Sequence, residues 1–183
     1  AKNILGEMFY NGYGVKVDYT QAFYLFKAAA SKYYAPGMVN LAAMYSNGNG
    51  TQMDGDNARD LLGAAVKKNY PPAKTALGDW YLLQRNYPLA FKYFNEAVAQ
   101  KYPPAMVRLG VMYEAGQSVR ADNVKASAFF KEAAKAGNAA AQKELGELYL
   151  NGSIGSQKDI LEAFKNLRAS VSRNYVAALP LLG

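Results

Sequence analysis

The chain contains no cysteine and no histidine among its 183 residues. Without cysteine there is no disulfide framework, no thiol nucleophile and no thiolate ligand for zinc. Without histidine there is no Ser-His-Asp triad and no imidazole ligand for a metal. These absences therefore exclude disulfide-stabilised domains, thiol or triad hydrolases and histidine-ligated metalloenzymes.

Long apolar runs are also lacking. No stretch of about 18 apolar residues occurs, so the sequence predicts no membrane span. Hydrophobic residues nevertheless make up 51% of the chain and charged residues 19%, a balance that is typical of a packed chain rather than a disordered one.

What the chain does have is an internal repeat. The pattern Ala/Gly-x-x-x-Leu-Gly/Ala recurs at spacings of 36, 36, 32, 36 and 37 residues, with its leucines at Leu5, Leu41, Leu77, Leu109, Leu145 and Leu182. A period of this length is typical of stacked supersecondary units. Any function should then lie on a surface, because one repeat is too small to enclose a pocket.

Each repeat carries the marks of two helices, A and B. A glycine seven residues after the leucine can close helix A in the left-handed conformation, at Gly12, Gly48, Gly116 and Gly152. An Asp or Asn four residues before a recurrent alanine can cap helix B, at Asp18, Asp54, Asn86, Asp122 and Asp159. Tyr-Pro-Pro-Ala links at 70–73 and 102–105 open the next helix A, where proline is tolerated, and weaker versions of the link fill the same place in the other repeats.

These marks predict A helices near 1–11, 36–47, 72–84, 104–115 and 139–151, and B helices near 19–32, 55–69, 87–101, 123–136 and 160–173. The third repeat lacks four residues in its A-to-B turn, and the fifth gains one there. We expect the aromatic residues four after each leucine to pack in the core, and the glycines directly after the leucines to allow close approach of a neighbouring helix. Trp80 is interpreted as packing rather than binding, because its equivalents are apolar in every repeat.

The chain resembles the Sel1-like repeat family, a branch of the tetratricopeptide-like helical solenoids. The resemblance rests on strings such as LGEMFYNG at residues 5–12 and LGVMYEAG at residues 109–116, each followed at fixed offsets by the capping Asp and a Lys-x-Ala-Ala or Lys-Ala-Ala stretch. It implies an all-α fold, an α–α superhelix of about five helix-turn-helix repeats. We expect a single array with repeats at about 1–35, 36–71, 72–103, 104–139 and 140–176, and a partial sixth at 177–183 that marks a fragment of a longer protein.

The resemblance also implies what such a protein does. Relatives of this kind are non-catalytic scaffolds or adaptors that bind other proteins and need no cofactor. Bacterial members are often periplasmic or secreted, and they act in envelope maintenance or host interaction. The array is also similar to the enhanced-entry proteins of intracellular pathogens, which engage a cell-wall lytic enzyme.

A candidate binding surface follows from helix A positions that vary between repeats. In the resembled fold these positions line the inner, concave wall. They are Asn3, Glu7, Tyr10, Asn40, Ala43, Ser46, Asn47, Thr75, Asp79, Leu82, Arg108, Val111, Glu114, Glu144, Glu147 and Leu150. This set holds five carboxylates against one arginine, although the whole chain has a net charge of +7. An acidic groove suits a basic or amphipathic peptide or helix.

Other interpretations remain open. Tyr and Asn in the groove would also suit direct binding of peptidoglycan or another glycan. Glu144 and Glu147, three residues apart on one helix face, could form a catalytic carboxylate pair, although a solvated acidic face is the simpler interpretation. Lysines on the B helices could bind a polyanion, but no base-stacking motif accompanies them, which favours a solubilising surface over nucleic-acid binding.

Overall fold

The computed structural model describes residues 1–154, 160–173 and 180. Within them it contains ten α-helices and no strand. The helices are α1 (Lys2–Asn11), α2 (Tyr19–Ala30), α3 (Ala35–Asn47), α4 (Gly55–Val66), α5 (Pro71–Leu83), α6 (Tyr87–Val98), α7 (Pro103–Ala115), α8 (Asn123–Lys135), α9 (Ala139–Leu150) and α10 (Ile160–Ser172). Odd-numbered helices are the predicted A helices and even-numbered ones the predicted B helices. Each starts within one residue of its predicted start.

The chain divides into two compact units. The N-terminal unit, Ala1–Asn86, holds α1 to α5, and the C-terminal unit, Tyr87–Gly183, holds α6 to α10. The division falls in the shortened A-to-B turn of the third repeat. Within each unit, helices that are consecutive in sequence pack against each other, and α3 also contacts α5.

Aspartates cap three of the B helices, as predicted. Each accepts a hydrogen bond of 2.9 Å through Oδ1 from a backbone N–H three residues on: Asp18 from Gln21, Asp54 from Asn57 and Asp122 from Lys125. The bond satisfies an amide that has no partner inside the helix, and it places negative charge at the positive end of the helix dipole. Asp159, another predicted cap, lies outside the described residues.

Glycine closes three of the A helices, again as predicted. Gly12, Gly48 and Gly116 take left-handed φ values of 74°, 69° and 67°. Helix α9 differs slightly, because Asn151 is its C-cap and Gly152 adopts φ 64° one residue later.

The B helices end one to three residues earlier than predicted. The sequence pattern alone suggested that they run on to the start of the next link. Instead the backbone turns into the left-handed region at Tyr33, Asn69 and Lys101, with φ of 53°, 54° and 56°. A residue in this conformation cannot continue an α-helix, so the chain reverses direction within a few residues.

The core of the N-terminal unit lies between the A and B helices. Phe26, Met44 and Leu41 are buried there around small residues such as Ala22. Tyr45 packs at the edge of this core, with its ring 5.5 Å from that of Phe23 in an edge-to-face arrangement. Packing of the repeat aromatics is thus confirmed, with the tyrosines half-buried rather than fully enclosed.

The core of the C-terminal unit repeats the scheme. Phe130, Leu145 and Leu148 are buried together with Ala126. Tyr113 is half-buried beside them, with ring centroids 5.8 Å from Phe91 and 5.7 Å from Phe129.

The glycines that directly follow the marker leucines allow helix A to pack closely against helix B. A Cβ atom on Gly6 would lie 2.6 Å from Cε1 of Phe26, and one on Gly146 would lie 2.7 Å from Cγ of Leu167. A Cβ atom on Gly110 would overlap the ring of Phe130 in the same way. The predicted close approach is confirmed, and the contacting element is helix B of the same repeat.

Leu5 departs from the other marker leucines. It is 41% exposed, whereas Leu41, Leu77, Leu109 and Leu145 are at most 4% exposed. Helix α1 packs chiefly on α2, so its other flank is left uncovered. Leu182, the last marker, lies outside the described residues, as do residues 177–179 and 181–183 of the expected sixth repeat. No helix in the described ranges is long and apolar enough to cross a membrane.

Candidate functional site

A polar network joins the first two A helices of the N-terminal unit. The amide of Asn3 donates to Oε1 of Glu7 over 2.8 Å, and the amide of Asn40 donates to the same oxygen and to Oδ1 of Asn3, each over 3.1 Å. These three residues were predicted to face a partner, and the structure brings them together across α1 and α3. Asn3 is only 8% exposed, however, so the expectation that it faces a partner is wrong, and its amide supports Glu7 instead. The network holds the Glu7 carboxylate in a fixed place on the A-helix face.

Beside this network is a depression of about 310 Å³. Its lining residues are Glu7, Tyr10, Asn11, Phe26, Asn40 and Ala43. Tyr10 is fixed by its contacts: its ring lies 5.3 Å from that of Tyr19, and its hydroxyl accepts a hydrogen bond of 3.1 Å from the amide of Asn49. Four predicted site residues therefore line one polar pocket.

A second depression, of about 300 Å³, lies between α3 and α5. Its lining residues are Val39, Ala42, Ala43, Ser46, Asn47, Leu62, Ala76, Asp79, Trp80 and Leu83. Ala43 borders both depressions, which therefore adjoin across α3. We call the pair the α3 trough; its first depression is polar and its second is mostly apolar.

Trp80 lines the trough, although its sequence pattern predicts a packing role alone. Its ring is half-buried, packed 5.2 Å from the ring of Tyr81 and 5.9 Å from the guanidinium carbon of Arg59. The residue packs, as predicted, but one surface of it also forms a wall of the second depression. Leu83, which is 81% exposed, lies beside it and was likewise missed, although it occupies one of the offsets used to select the candidate positions.

Two other predicted positions of α5 contribute less. Thr75 is only 7% exposed, and its hydroxyl donates to the carbonyl oxygen of Pro71 over 3.1 Å. The expectation that Thr75 faces a partner is therefore wrong, because the turn geometry directs its side chain back to its own helix. Leu82 is half-buried and does not line the trough.

In the C-terminal unit, the predicted glutamates gather around a lysine. Nζ of Lys143 lies 3.4 Å from Oε1 of Glu144, and it also donates a short hydrogen bond to Oε2 of Glu147. All three side chains are partly buried. Lys143 was left out of the sequence-based set, so the acidity of this surface was overstated.

Burial and neighbouring charges shift the protonation of this cluster. Burial raises the pKa of Glu144, and the positive charge of Lys143 opposes that shift only in part. Burial also raises the pKa of Glu114, and the nearby charge of Glu147 adds to the effect. Burial lowers the pKa of Lys143, but its hydrogen bond to Glu147 and the charges of both neighbouring glutamates raise it overall.

The remaining predicted residues of this unit have mixed surroundings. Arg108 is exposed, and Leu150 is 37% exposed at the end of α9. Val111 is half-buried and packs against the core of the C-terminal unit, so part of its surface belongs to the core.

The family now follows from the repeats. Five consecutive matches to the Sel1 repeat cover residues 1–34, 35–70, 71–102, 103–138 and 139–178. The chain belongs to the Sel1 repeat family. Its fold is accordingly an all-α superhelix of about five repeats. Sel1 repeat proteins generally act as non-catalytic scaffolds for protein–protein interaction.

Solved structures of Sel1 repeat proteins agree with this assignment. A Sel1 repeat protein from Oxalobacter formigenes is 28% identical with a TM-score of 0.80, over 97% of this chain and 74% of that one. The c5321 protein, a protective antigen present in uropathogenic Escherichia coli strains, is 25% identical with a TM-score of 0.70, over 99% of this chain and 39% of that one. The immunity protein Pa5087 from Pseudomonas aeruginosa shares the fold at 20% identity and a TM-score of 0.70, over 95% of this chain and 68% of that one. A comparison with curated protein sequences finds no significant match.

Basic residues of these Sel1 repeats lie both along the B helices and at their ends. Acidic side chains near the starts of the B helices pair with neighbouring cations, as Arg59 does with Asp56 and Asp60. Exposed lysines lie within the B helices, at Lys27, Lys92, Lys125, Lys131 and Lys165, and also where these helices end, at Lys32, Lys67, Lys68, Lys101 and Lys135. Cations at these ends complement the negative end of the helix dipole.

Proposed function

We propose that the A-helix surfaces of this Sel1 repeat protein bind another protein, through a basic or amphipathic peptide or helix. The observation that carries the proposal is the α3 trough. It places the carboxylate of Glu7 on one side of the small residue Ala43 and the apolar wall of Trp80 on the other. A surface that pairs fixed polar groups with an aromatic wall has the composition of protein-binding sites.

The C-terminal unit supports a basic partner more weakly. Glu114, Glu144 and Glu147 together carry more negative charge than Lys143 neutralises when all are ionised. Electrostatic complementarity of this kind mainly increases the association rate and the selectivity for cationic segments.

The proposal includes a setting at the bacterial envelope or in contact with a host. The similarity to a protective antigen of uropathogenic Escherichia coli supports that setting. In such a role the chain would hold a partner protein in place and perform no chemistry itself.

Quantitative affinity capture with variants as bait tests the binding face. Replacing Glu7 of the α3 trough by Lys, alone or together with Glu114 and Glu147, should sharply reduce recovery of the partner, since attraction becomes like-charge repulsion. Glu144 is left unchanged because it is buried more deeply against Lys143. The matched control replaces the exposed Lys131 and Lys135 of α8 by Gln, which should leave recovery intact.

The opposite result would refute the proposal. If capture survives the glutamate changes and collapses with the lysine changes, the B-helix surface binds the partner. A steep fall of that binding with added salt would then identify a polyanion ligand.

Glycan binding is the second candidate function. It is favoured by the polar first depression, where the carboxylate of Glu7, the amide of Asn40 and the ring of Tyr10 lie together. Such groups can bind sugar hydroxyls and stack on sugar rings. Sedimentation with purified peptidoglycan, in the absence of any other protein, distinguishes this role from protein binding.

A further inference from the structure

We propose that the α3 trough selects an extended peptide that carries a cationic side chain and a large apolar side chain about three residues apart. The proposal rests on the protein-binding function above and specifies the partner. Three features of the N-terminal unit support it: the carboxylate of Glu7, the apolar wall of the second depression at Trp80, and the surface of α3 at Ala43 between the two depressions, which we call the floor.

The carboxylate of Glu7 is suited to a cation from outside the chain. Both amide hydrogen bonds, from Asn3 and Asn40, end on its Oε1 atom. Among the residues that the structure describes, Oε2 accepts no hydrogen bond, and Glu7 forms no ion pair. Glu147 differs, because Lys143 already pairs with it. An arginine or lysine of the partner would therefore find its counter-charge at Glu7.

The second depression is suited to a large apolar side chain. Its walls include Val39, Ala76, Trp80 and Leu83. Leu83 is 81% exposed, so in the free protein its apolar surface is largely in water. Burying such surface drives association, and tryptophan is enriched among the residues that dominate binding energy at interfaces.

The floor between the two depressions sets their separation. Ala43 borders both, so they lie on the two sides of one helix, α3. Packed helices are about 8–10 Å apart, and an extended chain advances about 3.3 Å per residue. In a polyproline-II chain, residues three apart lie on the same face and about 9 Å from each other, so the two side chains of a bound extended peptide would be about three residues apart.

Polar groups along the floor favour an extended partner over a helical one. Ser46 and Asn47 line the second depression, and within the described ranges neither side chain makes a hydrogen bond. The N–H and C=O groups of an extended peptide are free to bind them. A helix has already used its own main-chain groups internally.

Fluorescence anisotropy with synthetic peptides tests the proposal. The probes are labelled Gly/Ser peptides with one Arg and one Trp, placed one, three, five or seven residues apart in either order. We expect tightest binding at a separation of three, weakened roughly thirtyfold when Arg becomes Glu or Trp becomes Ser, as for loss of an interface hot spot.

Protein variants locate the bound peptide. Ala43→Phe should abolish binding by filling the floor, while the matched change Ala128→Phe, at an exposed position of α8, should not. Glu7→Gln, which keeps an acceptor for the two amides, should remove the preference for Arg over Gln in the peptide. Leu83→Ser should weaken binding of the Trp peptides without lowering the melting temperature, which checks that the fold is intact.

Each other outcome has a definite meaning. If Ala43→Phe abolishes binding but peptides of all Arg–Trp separations bind equally well, the two depressions do not act together. The inference is then wrong, while the proposed protein-binding function is unaffected. Tightest binding at seven residues would indicate a helical partner and overturn the extended mode. If no peptide binds, or if Ala43→Phe has no effect, the inference is wrong, and the capture experiment then decides the protein-binding function independently.

Discussion

Replacing Gly110 by Ala should destabilise the protein, although alanine is the better helix former. Helix propensity alone favours Ala over Gly by about 1 kcal/mol. However, two further atoms of the Phe130 ring would lie 2.7 and 2.8 Å from the new Cβ atom, in addition to the closest ring atom, Cε1. Phe130 is fully buried, so its ring cannot move away freely. Overpacking of this kind costs about 1–3 kcal/mol, which should outweigh the gain.

The expected net loss is about 1 kcal/mol, or roughly 2–4 °C in the melting temperature for a chain of this size. Gly63 provides the control, because a Cβ atom there would meet nothing within 4 Å in the middle of α4. Gly63→Ala should therefore stabilise by about 1 kcal/mol. Circular dichroism melts and urea titrations of both variants measure the difference.

A second substitution tests the cause. The second repeat places Ala42 and Leu62 at the positions that Gly110 and Phe130 occupy in the fourth. Combining Gly110→Ala with Phe130→Leu copies that pair, so the double variant should be more stable than the sum of the two single changes predicts. If Gly110→Ala stabilises as much as Gly63→Ala, the helices are not in steric contact there and the packing argument fails.

Three further predictions concern caps, charge and aromatics. Asp122→Ala should lower the free energy of unfolding by about 1 kcal/mol while Asp122→Asn nearly preserves it, and urea titration distinguishes a lost cap from a lost charge. Burial raises the folded-state pKa of Glu144 above its unfolded value, so the protein should gain stability from this residue as pH falls through the folded pKa and lose it as pH rises. Glu144→Gln should flatten that part of the plot of unfolding free energy against pH. An unchanged plot would contradict the raised pKa of Glu144. Tyr113→Ala should cost about 2–4 kcal/mol, whereas Tyr13→Ala, at a side chain that is 66% exposed, should change the melting temperature little.

The helices, their starts and the glycine-closed ends of the A helices were predictable because their signals are local, whereas the ends of the B helices were placed too late. The bond from Gln21 to Asp18 spans three residues, and the left-handed Gly12 directly follows its helix. Such features depend on neighbours in the sequence, which the repeat displays again and again. Even the close approach of another helix at Gly6 could be anticipated, since a glycine inside a helix costs stability and needs a steric reason, but that Phe26 makes the contact is seen only in the structure.

The site was predicted only in part, because exposure depends on packing between helices. The offsets from each leucine correctly grouped Glu7 with Asn40, but they gave no means to see that Thr75 bonds its own helix. Lys143, two residues before its marker leucine, and Leu83, six residues after its own, occupy positions of the kind used to select the candidate residues, yet neither is among them. The double role of Trp80 required the three-dimensional neighbours, because burial on one side and exposure on the other leave no separate mark in the sequence.

The left-handed residues where the B helices end have a consequence for engineering. From the recurrent B-helix alanine to the next marker leucine there are 19 residues in every repeat, as from Ala58 to Leu77, whereas the stretch from leucine to alanine varies in length. A left-handed backbone at Asn69 fixes the geometry of that link, so one inserted residue would displace the reversal and the helix after it. The A-to-B turns are free of that restriction. Foreign loops should therefore be grafted there, for example between Gly12 and Asp18, where the chain already makes its own turn before the capped helix begins.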